Sequence, residues 1–185
     1  MSTPIALRST ALLAIPRASL AALRAALLRD AGPAAAGYLQ EAGYAGGPAV
    51  YDAFRGWLAA RELPAPEHLG VSDFELRASE FFLEAGWGEL SVGALGDAVA
   101  TLDSTDWGEA DPESGLDQPG CHFTAGLFAD FFGRVAEAPL AVMEVECRSA
   151  GSDRCRFLLG SPETLGALYE SMASGAPYEE AVAQV

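Results

Sequence analysis

Three cysteines are the residues of this chain best suited to chemistry. They are Cys121, in "QPGCHFTAG", and Cys147 and Cys155, which bracket the polar stretch "ECRSAGSDRC". Cysteine thiolates form disulfides, act as nucleophiles and bind soft metal ions. An odd number of cysteines leaves one thiol over in a disulfide framework, so the pattern favours a metal site or buried thiols.

A metal site needs these thiols to converge. Two strands that pair symmetrically about Gly151 across a tight turn would bring Cys147 and Cys155 together. Cys121 is expected to begin a helix, whose N-terminus stabilises a thiolate. Three thiolates suggest Zn²⁺, which takes four ligands. From the residues alone the fourth ligand is Glu144, Glu146 or His122, and three buried cysteines without a metal remain the alternative.

The first half of the chain reads as helices that must support this site. Helical patterns cover 16–30, about 33 to the glycines Gly46 and Gly47, then 47–62, and 72–88. Ser19 and Ser72 are the predicted N-caps of the first and last of these, with Glu75 completing a capping box.

The pattern after Gly88 changes to strands. Two β-branched segments predict a hairpin, a helix follows from Cys121, and "PLAVMEVECRSA" with "RCRFLLG" predicts a second hairpin. Ser161 caps a last helix. The order predicts an α+β fold: N-terminal helices, then an antiparallel sheet of two hairpins with intervening and C-terminal helices. We expect one domain with a helical part over 1–88, a core over 89–160 and a C-terminal helix over 161–185.

Charge and hydropathy exclude several kinds of partner. The net charge is −15 and the pI about 4.3, so nucleic acid and anionic membrane surfaces would repel the chain. No stretch approaches about 18 uncharged apolar residues, so we expect no membrane span and a cytoplasmic location. No nucleotide-binding glycine motif is present.

Two segments resemble a known family. "PGCHFTAGLFADFFGRV" followed by "EVECRSAGSDRCRF" is similar to the 4-vinyl reductase domain family over about residues 90–160. The resemblance implies a TRAPP-like fold and a homodimer formed through the helices. It also implies that Cys121, Glu144, Cys147 and Cys155 hold a structural zinc ion, which ties the helix at Cys121 to the last hairpin.

The resemblance also implies a function. Similar domains sense aromatic ligands in phenol- and xylene-responsive activators, so we expect a hydrophobic or aromatic ligand and a downstream protein partner or a carrier role. An enzyme is not expected, because no cofactor fingerprint for reduction is present. The alternatives are an accessory protein in tetrapyrrole vinyl reduction and a dimerisation scaffold. The predicted ligand-binding residues are Phe81, Phe82, Trp87, Trp107, His122 and Phe123.

Overall fold

The protein, described here by a computed structural model over residues 12–96 and 98–185, is a four-stranded antiparallel sheet with helices on both faces. The predicted α+β architecture is therefore confirmed, while residues 1–11 of the predicted N-terminal helical part lie outside the described residues. The elements are α1 (Arg17–Ala31), α2 (Ala34–Ala59), α3 (Val71–Glu84), β1 (Ser91–Leu95), β2 (Val99–Ser104), α4 (His122–Ala136), β3 (Ala141–Glu146), β4 (Cys155–Gly160), α5 (Pro162–Ala173) and α6 (Tyr178–Val182).

The sheet order is β1-β2-β4-β3, so β4 lies inside the sheet and β3 at its edge. Because side chains alternate along a strand, β4 serves two cores. Phe157 and Leu159 join the large core under α2, α3 and α4, whereas Leu158 packs with Leu165 and Leu168 of α5 on the opposite face. Both predicted hairpins are present.

One predicted helix boundary is wrong. The glycines at Gly46 and Gly47 do not end a helix, since α2 continues through them and through Pro48 to Ala59. An internal proline costs about 3 kcal/mol in an isolated helix. Here the helix packs along its length on α4, and that burial offsets the cost of Pro48.

The glycines of α2 serve this packing instead. A β-carbon at Gly43 would collide with the carbonyl oxygen of Phe123 on α4, and one at Gly47 with the side chain of Asp130. From the other side, a β-carbon at Gly126 would collide with the carbonyl of Gln40. The two helix backbones therefore touch, and this contact fixes where α4 begins.

Two predicted caps are also wrong. Helix α1 begins directly after Pro16, whose ring presets φ, so Ser19 lies inside its first turn. Helix α3 begins after Gly70, whose carbonyl accepts the N–H of Phe74, and Ser72 makes no cap.

The C-terminal region is partly as predicted. Ser161 caps α5 as expected, and its hydroxyl accepts the N–H of Thr164 at 3.0 Å. The predicted single helix over 161–185 is wrong, however. Gly175, at φ +105°, and Pro177 separate α5 from α6, because a left-handed glycine followed by proline cannot continue a helix.

Candidate metal centre and aromatic interior

Four side chains converge where α4 meets the β3–β4 hairpin. Cys121 precedes α4, Cys147 follows β3, Cys155 begins β4, and Glu144 lies on β3. One ligand atom from each lies within 4.8 Å of the others. Cys121 Sγ is 3.8 Å from Cys147 Sγ and 3.9 Å from Cys155 Sγ. All three cysteines are buried and reduced.

The register of the hairpin explains why two of the sulfurs meet. Glu146 pairs with Arg156, which places the next pair, Cys147 and Cys155, symmetrically about Gly151 as predicted. The connection is longer than the predicted tight turn and contains a 3₁₀ turn over Arg148–Ala150. Gly151 follows that turn at φ +86°, a conformation that glycine adopts without a side-chain clash.

A shift in register separates the two candidate carboxylates. Residues two apart on a regular strand share a face, but the pairing of β3 with β4 shifts between Glu144 and Glu146. The Glu144 carboxylate faces the sulfurs. The Glu146 carboxylate instead accepts two hydrogen bonds from Arg154, at 2.8 and 2.9 Å, and one from the Tyr178 hydroxyl. The Arg154 hydrogen bonds hold the pKa of Glu146 below its usual value.

Glu144 has one oxygen bound and one free. Its Oε2 accepts the backbone N–H of Cys121 at 2.7 Å. Its Oε1 is buried and has no hydrogen-bond partner among the described residues. Burial, followed by the negative charge of Cys147, raises the pKa of Glu144 to about 8. A buried carboxylate oxygen left unpaired costs about 1–3 kcal/mol or more, so the site lacks a positive partner at this atom.

The sulfurs share protons in the metal-free protein. Hydrogen bonds from Cys121 and Cys155 lower the pKa of Cys147, so this sulfur is the thiolate of the group. The same bond to Cys147 raises the pKa of Cys121. For Cys155 the bond with Cys121 lowers the pKa, but the bond with Cys147 and burial together outweigh it and raise the pKa. A metal ion would replace the protons that these groups hold.

The donor set fits zinc. Three thiolate sulfurs and one carboxylate oxygen match the ligand types and the number that Zn²⁺ takes in closed sites. The unpaired Glu144 Oε1 is the oxygen that such an ion would satisfy. His122, the third residue considered for the fourth ligand, is not a member of the converging group.

A second buried carboxylate fixes the start of α4, and the sequence pattern did not reveal it. Glu109 accepts the backbone N–H of Phe123 at 3.1 Å, the N–H of Thr124 at 2.7 Å, and the Thr124 hydroxyl. It therefore caps the helix that Cys121 precedes, although it lies outside the helix. Burial raises the pKa of Glu109, and these hydrogen bonds oppose that rise. The only sequence signal was an acidic residue in the "DWGEADPES" loop.

The predicted ligand-binding residues lie along one aromatic path. Phe81, Phe82 and Trp107 are fully buried, with ring centroids of Phe82 and Trp107 5.8 Å apart. Trp87 and Phe123 are half-buried. The Trp87 ring stacks with Trp107 at 5.5 Å and with Phe123 at 6.0 Å. The structure thus brings these five rings together, from the protein surface to the large core.

Two polar groups border this path. The Trp107 indole N–H donates to the Thr124 hydroxyl at 2.7 Å, which links the aromatic interior to the Glu109 cap. His122, half-buried beside Cys121, has its pKa lowered by burial, so its ring is neutral at pH 7.

An open groove lies elsewhere, between α2, α4 and the edge strand β3. Its volume is about 570 Å³, and its lining is mostly apolar and small. The predicted ligand-binding residues do not line it, so their role stays a prediction. Residues that line it include Gly37, Gln40, Tyr44, Ala125, Gly126 and Val142.

Comparison with known families supports the resemblance read from the motifs. Residues 109–161 match the family model of the 4-vinyl reductase domain, a segment that contains all four converging residues and Glu109. An uncharacterized protein of Methanocaldococcus jannaschii is 30% identical over 78 residues. That match covers 42% of this chain and 41% of the relative, so the chain spans less than half of that protein's length.

Three solved structures share the fold. The phenol-responsive sensory domain of the transcription activator PoxR, solved with phenol, has a TM-score of 0.66 at 16% identity, over 82% of this chain and 77% of that one. A vinyl-4-reductase family protein from Methanocaldococcus jannaschii has a TM-score of 0.55 at 19% identity, over 83% and 88%.

The third is a trafficking protein particle complex subunit 3 from Naegleria fowleri, covalently bound to palmitic acid. Its TM-score is 0.60 at 13% identity, over 83% of this chain and 95% of that one. The predicted TRAPP-like fold is therefore confirmed. Among the described residues, no helix has the length and apolar character needed to cross a bilayer.

Proposed function

We propose that this chain, whose central segment matches the 4-vinyl reductase domain, is a small-molecule-binding domain with a structural zinc site. Zinc would be held by the sulfurs of Cys121, Cys147 and Cys155 and by Glu144 Oε1. The observation that carries this proposal is the buried convergence of these four donors around an unpaired carboxylate oxygen.

The proposed zinc ion would act as a cross-link. Four protein ligands complete its coordination and leave no position for water or substrate, so the site is structural and the chain non-catalytic. Within the chain, the N–H of Cys121 orients Glu144. The ion would join the start of α4 to both strands of the hairpin, and so hold the wall of the aromatic interior in place.

The ligand would be hydrophobic, and aromatic by preference. Two proteins of the same fold were solved with hydrophobic molecules, phenol in one and palmitic acid in the other. In this chain the stacked path from Trp87 and Phe123 to Trp107 and Phe82 offers ring faces and edges to such a molecule. The neutral ring of His122 could donate or accept one hydrogen bond with a ligand hydroxyl.

The output of binding is proposed to pass to a partner protein, with the chain acting as a cytoplasmic homodimer. A carrier role, in which the chain delivers its ligand, is the variant of the same proposal. Both need the ligand site, so ligand binding is the property to test.

The experiment measures metal first and ligand second. Elemental mass spectrometry of protein purified without added metal should find one zinc per chain, and Cys155→Ser should lose it. Thermal shift and tryptophan fluorescence should then detect binding from a panel of phenols and medium-chain fatty acids. Trp107→Phe should weaken that binding. Trp57→Phe is the matched control, because the Trp57 indole donates to Glu84 between α2 and α3, away from the path.

Two results would contradict the proposal. Metal-free protein with three titratable thiols would remove the zinc site. No shift with any ligand of the panel, or equal losses in the Trp107 and Trp57 variants, would remove the aromatic path as the binding site.

A further inference from the structure

Helix α1 sends one charged side chain into the protein interior. Arg24 is only 2% exposed, whereas most of α1 is half-buried or exposed. Burying a guanidinium is costly unless its N–H groups are bonded. In the part of the chain that the structure describes, Arg24 forms no ion pair with a carboxylate. Its burial therefore has to be explained by its other contacts.

Arg24 bonds two loops at once. Its Nη1 donates to the backbone carbonyl of Glu109 at 2.6 Å, and its Nη2 to Ser149 Oγ at 3.4 Å. Ser149 Oγ also accepts the backbone N–H of Asp111 at 2.9 Å. The guanidinium thus joins α1, the loop at 109–111 and the turn at 148–150 at one buried point.

Both loops position proposed zinc ligands. The Glu109 side chain caps α4 at Phe123 and Thr124, directly after Cys121. Ser149 lies in the turn that immediately follows Cys147. Arg24 therefore holds the neighbours of two ligands that come from different elements.

We propose that Arg24 is a positioning residue of the metal centre and that it couples the docking of α1 to metal loading. The inference rests on the proposed zinc site. Three thiolates and a carboxylate around a divalent ion carry excess negative charge, and a buried cation beside the site compensates it. Because coupling is reciprocal, whatever α1 docking adds to metal affinity, metal loading adds to α1 docking.

The test uses Co²⁺ as the probe, since thiolate-to-cobalt charge-transfer absorption reports both affinity and geometry. Metal-free wild type, Arg24→Met and Arg17→Met are titrated with Co²⁺ alone. Arg17 is the matched control on the same helix: it is exposed, and its Nη2 donates to the Gly86 carbonyl at 2.6 Å, far in sequence from the ligands. Arg24→Met should weaken binding by about 10–100-fold and change the charge-transfer band, while Arg17→Met should change affinity by less than about threefold.

Hydrogen exchange of the wild type gives a readout that needs no variant. Removing Co²⁺ should raise exchange of α1 amides around Arg24 together with the hairpin amides, and leave α5 unchanged. If Arg24→Met fails to fold, Ser149→Ala, which removes one acceptor of Arg24, should still lower Co²⁺ affinity and shift the band.

The outcomes separate the two proposals. If the wild type binds no Co²⁺, the zinc site and the role of Arg24 both fall. If it binds Co²⁺ but the Arg24 and Arg17 variants behave alike, or α1 exchange ignores the metal, only the role of Arg24 falls.

Discussion

Glu144 and Glu146 are separated by a single residue on β3, yet their carboxylates serve opposite sides of the strand. Glu144 lies against the sulfurs with one oxygen unpaired, and Glu146 is bound by Arg154 and Tyr178. The shift in strand pairing between them produces this division. The two residues therefore form a natural pair of test and control.

Glu144→Gln should weaken zinc binding by more than the roughly 10–100-fold that loss of an outer partner of a metal ligand costs, because it removes a charged ligand. Glu146→Gln should leave zinc binding unchanged, and should cost at most about 1 kcal/mol of stability, because its ion pair with Arg154 is partly exposed. Competition with a chromophoric chelator measures both affinities. Equal losses in the two variants would mean that Glu144 is not a ligand.

Removing the metal should destabilise the fold. An ion present at 100 times its dissociation constant stabilises the native state by about 2.7 kcal/mol. For a chain of this length we expect a fall in Tm of about 5–11 °C on chelation. Differential scanning calorimetry with and without chelator measures it. Cys155→Ser serves as the control, because its Tm should be low already and should not respond to the chelator.

Zinc affinity should rise with pH. In the metal-free protein the pKa of Glu144 is about 8 and those of Cys121 and Cys155 are raised, so these groups hold protons at pH 7. Binding must displace these protons, so lowering the pH from 8 to 6 should weaken binding by at least about tenfold per pH unit. Calorimetry in two buffers of different ionisation enthalpy counts the protons released. Release of none would show that the donors are already ionised.

The contact between α2 and α4 can be tested with two glycines of one helix. Gly43→Ala would place a methyl group into the backbone of α4 and should cost about 1–3 kcal/mol or more. Gly56→Ala has nothing within 4 Å of the added carbon and should stabilise α2 by up to about 1 kcal/mol. Urea unfolding measures both. A stable Gly43→Ala protein would show that the helices can separate at little cost.

Residues close in sequence were predictable, and contacts across the chain were not. The strand pairing about Gly151 follows from local pattern, so the meeting of Cys147 and Cys155 could be predicted. The resemblance identified Cys121 and Glu144, but the choice between Glu144 and Glu146 depends on a register shift that no sequence pattern specifies.

Other features depended on partners that lie far away in the chain. Gly46 and Gly47 have the composition of a helix end, and only the approach of α4 explains why α2 continues through them. Arg24 meets the carbonyl of a residue 85 positions away, and Glu109 caps a helix that begins beyond a long loop. Each contact appears only after the fold is known.

The converging residues span a short part of the chain, with Cys121 and Cys155 34 positions apart. All of them precede α5 and α6 in the order of synthesis, and all follow α2. A nascent chain emerging from the ribosome would therefore expose a complete set of zinc ligands before its C-terminal helices exist. Zinc capture at that stage would close this segment with α4 already beside the hairpin, so that the last helices add onto a sheet whose register is fixed.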